Sequence, residues 1–162
     1  MSRGSGIRFL QKMGTPTQSA QYYVWSQPPE GVTTSGIINQ NSNFAEPAGE
    51  GWTEEETGDN SGSVDYTTIG FAIFASTLLG GIYINQSIMS IGNTYRVEID
   101  VSNYVAGSLT IKNDTDEIDC GITETGTFVI EFVAKSALFS IGLLLGSIQA
   151  LTCSGIRLYR IL

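Results

Sequence analysis

Tyr95-Arg96-Val97-Glu98-Ile99-Asp100-Val101 alternates apolar and charged residues without a break. Successive side chains of an extended chain point to opposite faces, so Tyr95, Val97, Ile99 and Val101 share one side and Arg96, Glu98 and Asp100 the other. A helix would scatter both sets around its axis. The stretch therefore reads as a strand with one apolar and one solvated face. Phe128, Ile130 and Phe132 against Val129 and Glu131 repeat the pattern, and Lys112-Asn113-Asp114-Thr115-Asp116 reads as the hairpin turn between Leu109-Thr110-Ile111 and Ile118. Working outward, strands are expected near 62–67, 69–77, 81–89, 94–102, 106–113, 117–122, 126–134, 136–143, 146–151 and 154–161. Short strands with turn signals every ~8–12 residues imply an all-β fold, a two-sheet antiparallel β-sandwich (jelly roll) preceded by an extended N-terminal arm. No internal repeat is present.

The expected organisation is an arm over 1–38 and a sandwich over 39–162. Pro16, Pro28 and Pro29 break the arm, and Gln21 to Trp25 reads as a short strand that adds to a sheet edge. Glu46 to Asp59 reads as an acidic loop. A chain of 162 residues suffices for one cored domain plus an arm. Charged residues are 15% of it, against ~25% in an average soluble domain. The net charge is −8, and Arg3, Arg8 and Lys12 give the first 29 residues +3, which leaves −11 on the remainder. Such a body offers no clustered Lys and Arg for phosphates, so nucleic acid is not an expected ligand.

No charged residue occurs from Tyr66 to Tyr95 or from Ser136 to Ile156. Both runs exceed the ~20 residues of a membrane-spanning helix. Gly80-Gly81 and Asn85-Gln86-Ser87 interrupt the first, and Ile69, Phe71, Ile73, Ile82 and Ile84 alternate, which favours strands over membrane spans. The second run carries Gly142 and Gly146 where a hairpin would bend. No secretory signal is expected, because no apolar stretch of the required kind lies near Met1. Cys120 and Cys153 are expected to be reduced, buried thiols.

The chain contains no histidine, which removes Ser-His and Cys-His nucleophiles and histidine-bound zinc. No phosphate-cradling glycine loop is present. No catalytic residue, metal ligand or cofactor is expected. The acidic cluster Asp114, Asp116, Glu117 and Asp119 lacks the spacing of a helix-loop-helix calcium loop and reads as a solvated hairpin tip.

In order, Asn41-x-x-Phe44, Gly51-Trp52, Gly92-x-x-Tyr95-x-Val97, Gly107-x-Leu109 and Thr125-Gly126-Thr127-Phe128 resemble the carbohydrate-binding-module-like jelly rolls of the family 4 and 9 type. The resemblance covers about 39–162. Domains of this kind also recur in tail and capsid-surface proteins of tailed bacteriophages. The resemblance implies a two-sheet sandwich, in some members with calcium, in others with a sugar cleft lined by aromatics. This chain departs from the pattern at Ile156-Arg157-Leu158-Tyr159: Arg157 stands where an Asp helps hold the metal, and a guanidinium cannot coordinate a cation. Tyr83, Tyr95 and Tyr104 are the candidate sugar platform.

The expected function is that of a non-enzymatic phage virion structural protein, first a capsid decoration (cement) protein located on the virion after assembly in the host cytoplasm. Its expected partners are further copies of itself, a trimer favoured, and the major capsid protein or other virion subunits. Arg3, Arg8, Phe9, Lys12, Tyr22, Tyr23 and Trp25 of the arm are the candidate interface residues. The alternative is a glycan-binding module of a tail fibre or adhesion protein, or a tail or baseplate subunit.

Overall fold

A computed structural model describes residues 22–25, 33–45 and 49–162. Their regular structure is β1 (Tyr22–Trp25), β2 (Thr53–Gly58), β3 (Ser63–Thr67), β4 (Phe71–Ser76), β5 (Gly80–Ser87), β6 (Thr94–Ala106), β7 (Thr110–Asn113), β8 (Asp116–Asp119), β9 (Gly126–Val133), β10 (Leu138–Leu143) and β11 (Gln149–Arg160). The strands form two antiparallel sheets, ordered β1-β9-β6-β11-β4-β3 and β2-β5-β10-β7-β8. The fold is the expected two-sheet β-sandwich. Both uncharged runs are strands and turns, and among the described residues no helix is long and apolar enough to cross a membrane.

The core follows from the alternation. Tyr95, Val97, Ile99 and Val101 of β6, with Ile130 and Phe132 of β9 and Ile156 and Leu158 of β11, form one inner face. Ile82 and Ile84 of β5, Ile111 of β7, and Phe139, Ile141 and Leu143 of β10 form the other. Two inner faces of large apolar side chains interdigitate and drive the sheets together. Phe44 closes one part of this core, with its ring centroid 5.9 Å from both Trp52 and Tyr66, and Trp52 lies 6.2 Å from Phe139. Cys120 and Cys153 are buried free thiols, and burial is the main cause pushing both well above the usual thiol range.

Four local readings are corrected. Residues 53–58 form strand β2 rather than a loop, because an edge strand takes its hydrogen bonds from β5 and can leave its charged side chains in water. The strands expected at 146–151 and 154–161 are one strand, β11. Its register slips between Cys153↔Val101 and Gly155↔Asp100, and this extra residue moves the inward set from Leu151 and Cys153 to Ile156 and Leu158. In β4 it is Ala72 and Phe74 that enter the core, while Ile69 and Ile73 are exposed. Gly80 and Gly81 begin β5, and Gly142 lies inside β10 rather than at a bend.

The polypeptide ahead of β2 completes the six-stranded sheet. Thr34 bridges Ile161, and Ile38 N–H donates to the Leu158 carbonyl. The Asn39 amide works as a piece of backbone: its Nδ2 donates to the Ile156 carbonyl at 2.6 Å and its Oδ1 accepts from Leu158 N–H at 2.8 Å. β1 pairs through its backbone with β9, from Tyr22↔Phe132 to Trp25↔Val129, the edge addition expected for this segment. Arg3, Arg8, Phe9 and Lys12 lie outside the described residues.

On the outer face of this sheet Arg157 sits between Glu98 and Asp100, 3.3 Å from Glu98 Oε2 and 2.5 Å from Asp100 Oδ2. Arg157 thus places a guanidinium of the chain itself between these two carboxylates. Burial alone would raise the Asp100 pKa, but hydrogen bonds from Arg157 and Thr127, with the Arg157 charge, outweigh it and hold the carboxyl below its ordinary value. A depressed folded pKa contributes stability that is present above the unfolded value of about 3.9 and lost as pH falls through the folded one. The urea midpoint of the wild type should therefore fall below about pH 4, and that of Asp100→Asn should fall less steeply over the same range. Parallel profiles for the two proteins would show that Asp100 contributes nothing to acid sensitivity.

Candidate functional site

The alternation that sends Ile82 and Ile84 inward sends Tyr83 and Asn85 to the outer face of the five-stranded sheet. The register then assembles that face in rows. One row runs Glu55 (β2), Tyr83 (β5), Gly142 (β10), Thr110 (β7) and Asp119 (β8). The next runs Thr53, Asn85, Ser140, Lys112 and Glu117. Five strands each contribute one or two polar side chains, and Tyr83 is the aromatic ring among them.

Outward position does not make this face wet. Tyr83, Asn85 and Ser140 are 0%, 7% and 2% exposed, yet Tyr83 OH, Asn85 Oδ1 and Ser140 Oγ have no hydrogen-bond partner among the described residues. Buried polar atoms left unpaired cost about 1–3 kcal/mol each. The three lie together on one face, where partners could be supplied from outside the chain. Lys112 covers the spot: its Nζ lies 3.9 Å from the Tyr83 ring centroid and 3.0 Å from Glu55 Oε1. Asn85 Nδ2 donates to Glu55 Oε2 at 3.3 Å. Burial, with the nearby Glu117 and Glu55 carboxylates, pushes the Tyr83 phenol well above its ordinary pKa, so it stays a neutral donor at physiological pH.

Clefts flank the covered patch at both ends. Beyond β7 and β8 lies a space of about 530 Å³ bounded by Tyr104, Thr110, Glu117, Asp119 and Gln149. At the other end a space of about 470 Å³ is bounded by Gln40, Thr53, Asn85, Ser87 and Leu138. The Gln86 amide fixes the wall of the second, accepting from Gln40 N–H and donating to the Gln40 carbonyl, each at 2.9 Å.

The three tyrosines expected to form a platform are not brought together. Tyr83 lies on the polar face, and Tyr104 is half-buried and opens on the larger cleft. Tyr95 belongs to the core, its ring 6.3 Å from Phe132 and its hydroxyl accepting from Ser90 N–H at 2.7 Å. An inward position in the most regular strand leaves it no ligand to meet. Glu55, Asn85, Lys112 and Ser140 were not among the expected site residues. Of the acidic hairpin, Asp116 pairs with Lys135 and Asp119 accepts from Gly121 N–H. Among the described residues no group of three or more His, Cys, Asp or Glu side chains is arranged to hold a metal ion.

No family model matches the chain, and no curated protein does. Solved structures do. The enzymatically active domain of bacteriophage CBA120 tailspike protein 4 aligns with a TM-score of 0.54 at 12% identity, over 78% of this chain and 22% of that one. The CBM22-1–GH10 modules of Clostridium thermocellum xylanase 10B, complexed with xylohexaose, align at 0.43 and 14% identity, over 78% and 28%. TmCBM61 in complex with β-1,4-galactotriose aligns at 0.40 and 13% identity, over 78% and 99%. The chain spans about a fifth of the length of the tailspike structure. At these identities the likeness is one of fold: a β-sandwich shared with part of a phage tailspike protein.

Proposed function

We propose that this chain is a non-catalytic glycan-binding module of a phage tail protein, built on a carbohydrate-binding-module-like sandwich. The observation that carries the reading is the set of orphaned polar atoms, Tyr83 OH, Asn85 Oδ1 and Ser140 Oγ, beside an aromatic ring on one sheet face. A sugar needs both an aromatic surface for its C–H face and hydrogen-bonding partners for its hydroxyls. Here both lie between two clefts, of about 530 and 470 Å³, that could extend the contact along a chain of sugars. The tailspike likeness supports the tail setting. Decoration of the capsid shell, the first expectation from the sequence, has no comparable support. Self-association and contacts of the N-terminal arm with neighbouring virion subunits stay part of the proposal, with Tyr22, Tyr23 and Trp25 carried on an edge strand.

The test is a glycan array followed by calorimetry on the best binders. Wild type should bind at least one oligosaccharide. Tyr83→Ala should bind it at least about tenfold more weakly, the equivalent of about 1.4 kcal/mol, with an unchanged circular dichroism spectrum. Ile69→Ala, on an exposed turn away from the face, should bind as wild type does. An empty array, or full binding by a folded Tyr83→Ala, would end the proposal.

A further inference from the structure

We infer that Lys112 is a displaceable cover over the Tyr83 ring, and that the site beneath it takes uncharged or amine-bearing sugars and turns away uronates and sulfated or phosphorylated sugars. The ligand half of this statement rests on the glycan-binding reading; the cover does not.

Lys112 holds its place weakly. Its side chain and that of Glu55 are 28% and 46% exposed, so water screens the pair. The ammonium–ring contact adds a modest attraction at such a site. A second carboxylate waits on the other side: Glu117 stands directly across from Lys112 in the β7–β8 register and is exposed. Turning from Glu55 to Glu117 exchanges one screened ion pair for another, so the movement costs little.

What the movement uncovers is flat. Gly142 is the β10 residue opposite Tyr83, and a Cβ there would fall 1.9 Å from the Ile82 carbonyl oxygen and 2.6 Å from Tyr83 Cα. No side chain can rise at this point between Tyr83 and β7. The ring therefore becomes a platform, bordered by Asn85 and Ser140 on the neighbouring row. Charge then selects the ligand. Once Lys112 has paired with Glu117, an incoming anion would face Glu55 and Asp119, and among the described residues these two rows hold no other cation to meet it. A hydroxyl or an amine would instead donate to Glu55 and Asn85, and an amine would repeat the contacts that Lys112 now makes.

The two halves are tested separately. In the free protein, hydroxyl-radical footprinting of Tyr83, read by peptide mass spectrometry, should rise in Lys112→Met and fall in Glu117→Gln. Binding of neutral and glucosamine-containing oligosaccharides should tighten about fivefold in Lys112→Met, the size expected for one exposed ion pair plus one cation–π contact. It should weaken in Glu117→Gln, and the double variant should bind like Lys112→Met. Uronate-containing and sulfated probes should not bind to any of the four proteins. Equal footprinting in wild type and Lys112→Met overturns the cover. Binding changes of the same sign in both single variants would also overturn it, because they would make the two residues ordinary ligand contacts. Tight binding of a uronate or sulfated probe overturns the ligand class. A raised footprint with no sugar bound by any variant refutes the glycan-binding reading and the ligand class with it, while the cover stands.

Discussion

Arg96→Ala should lower the stability of the sandwich by about 3–5 kcal/mol, the usual cost of stranding one partner of a buried ion pair. Arg96 and Glu131 face each other across β6 and β9, with side chains 6% and 12% exposed. The guanidinium donates twice to Glu131 Oε1, from Nε at 2.9 Å and from Nη2 at 2.5 Å. They occupy the outer side of strands whose inner side is the core, so this face of the sheet is also buried where they lie. Removing the arginine leaves a largely buried carboxylate without its partner, and removing Glu131 leaves a guanidinium in the same position. The loss does not mean that the pair itself contributes that much. Desolvation offsets most of the attraction between buried charges, and apolar replacements of similar volume are often neutral. Arg96→Met with Glu131→Leu should accordingly recover most of the stability lost by either single change. Urea denaturation of wild type, Arg96→Met, Glu131→Leu and the double variant checks this. Additive losses in the double variant would show that the pair is not coupled.

The strand face of 95–101 and the inward residues of β9 could be read directly, because there the alternation is unbroken and both faces differ in chemistry. β11 could not be read as one strand, since its extra residue near Gly155 reverses the alternation and looks like a gap. β2 was hidden for a different reason: Glu54, Glu55 and Glu56 offer no apolar face, and a strand whose only reward is the hydrogen bonding of one edge leaves no period in the sequence. The site was legible in part. Tyr83 and Asn85, alternating with Ile82 and Ile84, and Ser140 between Phe139 and Ile141, announce outward positions. What alternation cannot supply is which strands are neighbours. The contact of Lys112 with Tyr83 and Glu55 depends on β10 lying between β5 and β7, a long-range arrangement set by the sandwich as a whole. Tyr95 misled because an aromatic residue in a regular strand fills a core as readily as it meets a ligand.

Phe44→Ala should cost about 3–5 kcal/mol, the range for removing a large buried aromatic side chain. Phe44 is fully buried, and its ring is the shared neighbour of Trp52 and Tyr66, which come from the approach to β2 and from β3. Those contacts hold the segment before β2 against the body. Trp52 adds a second tie, donating from Nε1 to the Asn41 carbonyl at 3.2 Å. The backbone at Asn41 and Phe44 has φ of 45° and 57°, the left-handed region that side chains other than glycine and asparagine seldom adopt. Packing of the Phe44 ring is what compensates for that conformation, so truncation removes the compensation together with the buried surface. Phe44→Leu keeps part of the volume and should cost less than the alanine variant. The checks are urea denaturation and the emission of Trp52, which should shift to the red in native Phe44→Ala as water enters beside the indole. An alanine variant as stable as wild type, with unshifted emission, would show that the aromatic cluster is not what closes this end of the core.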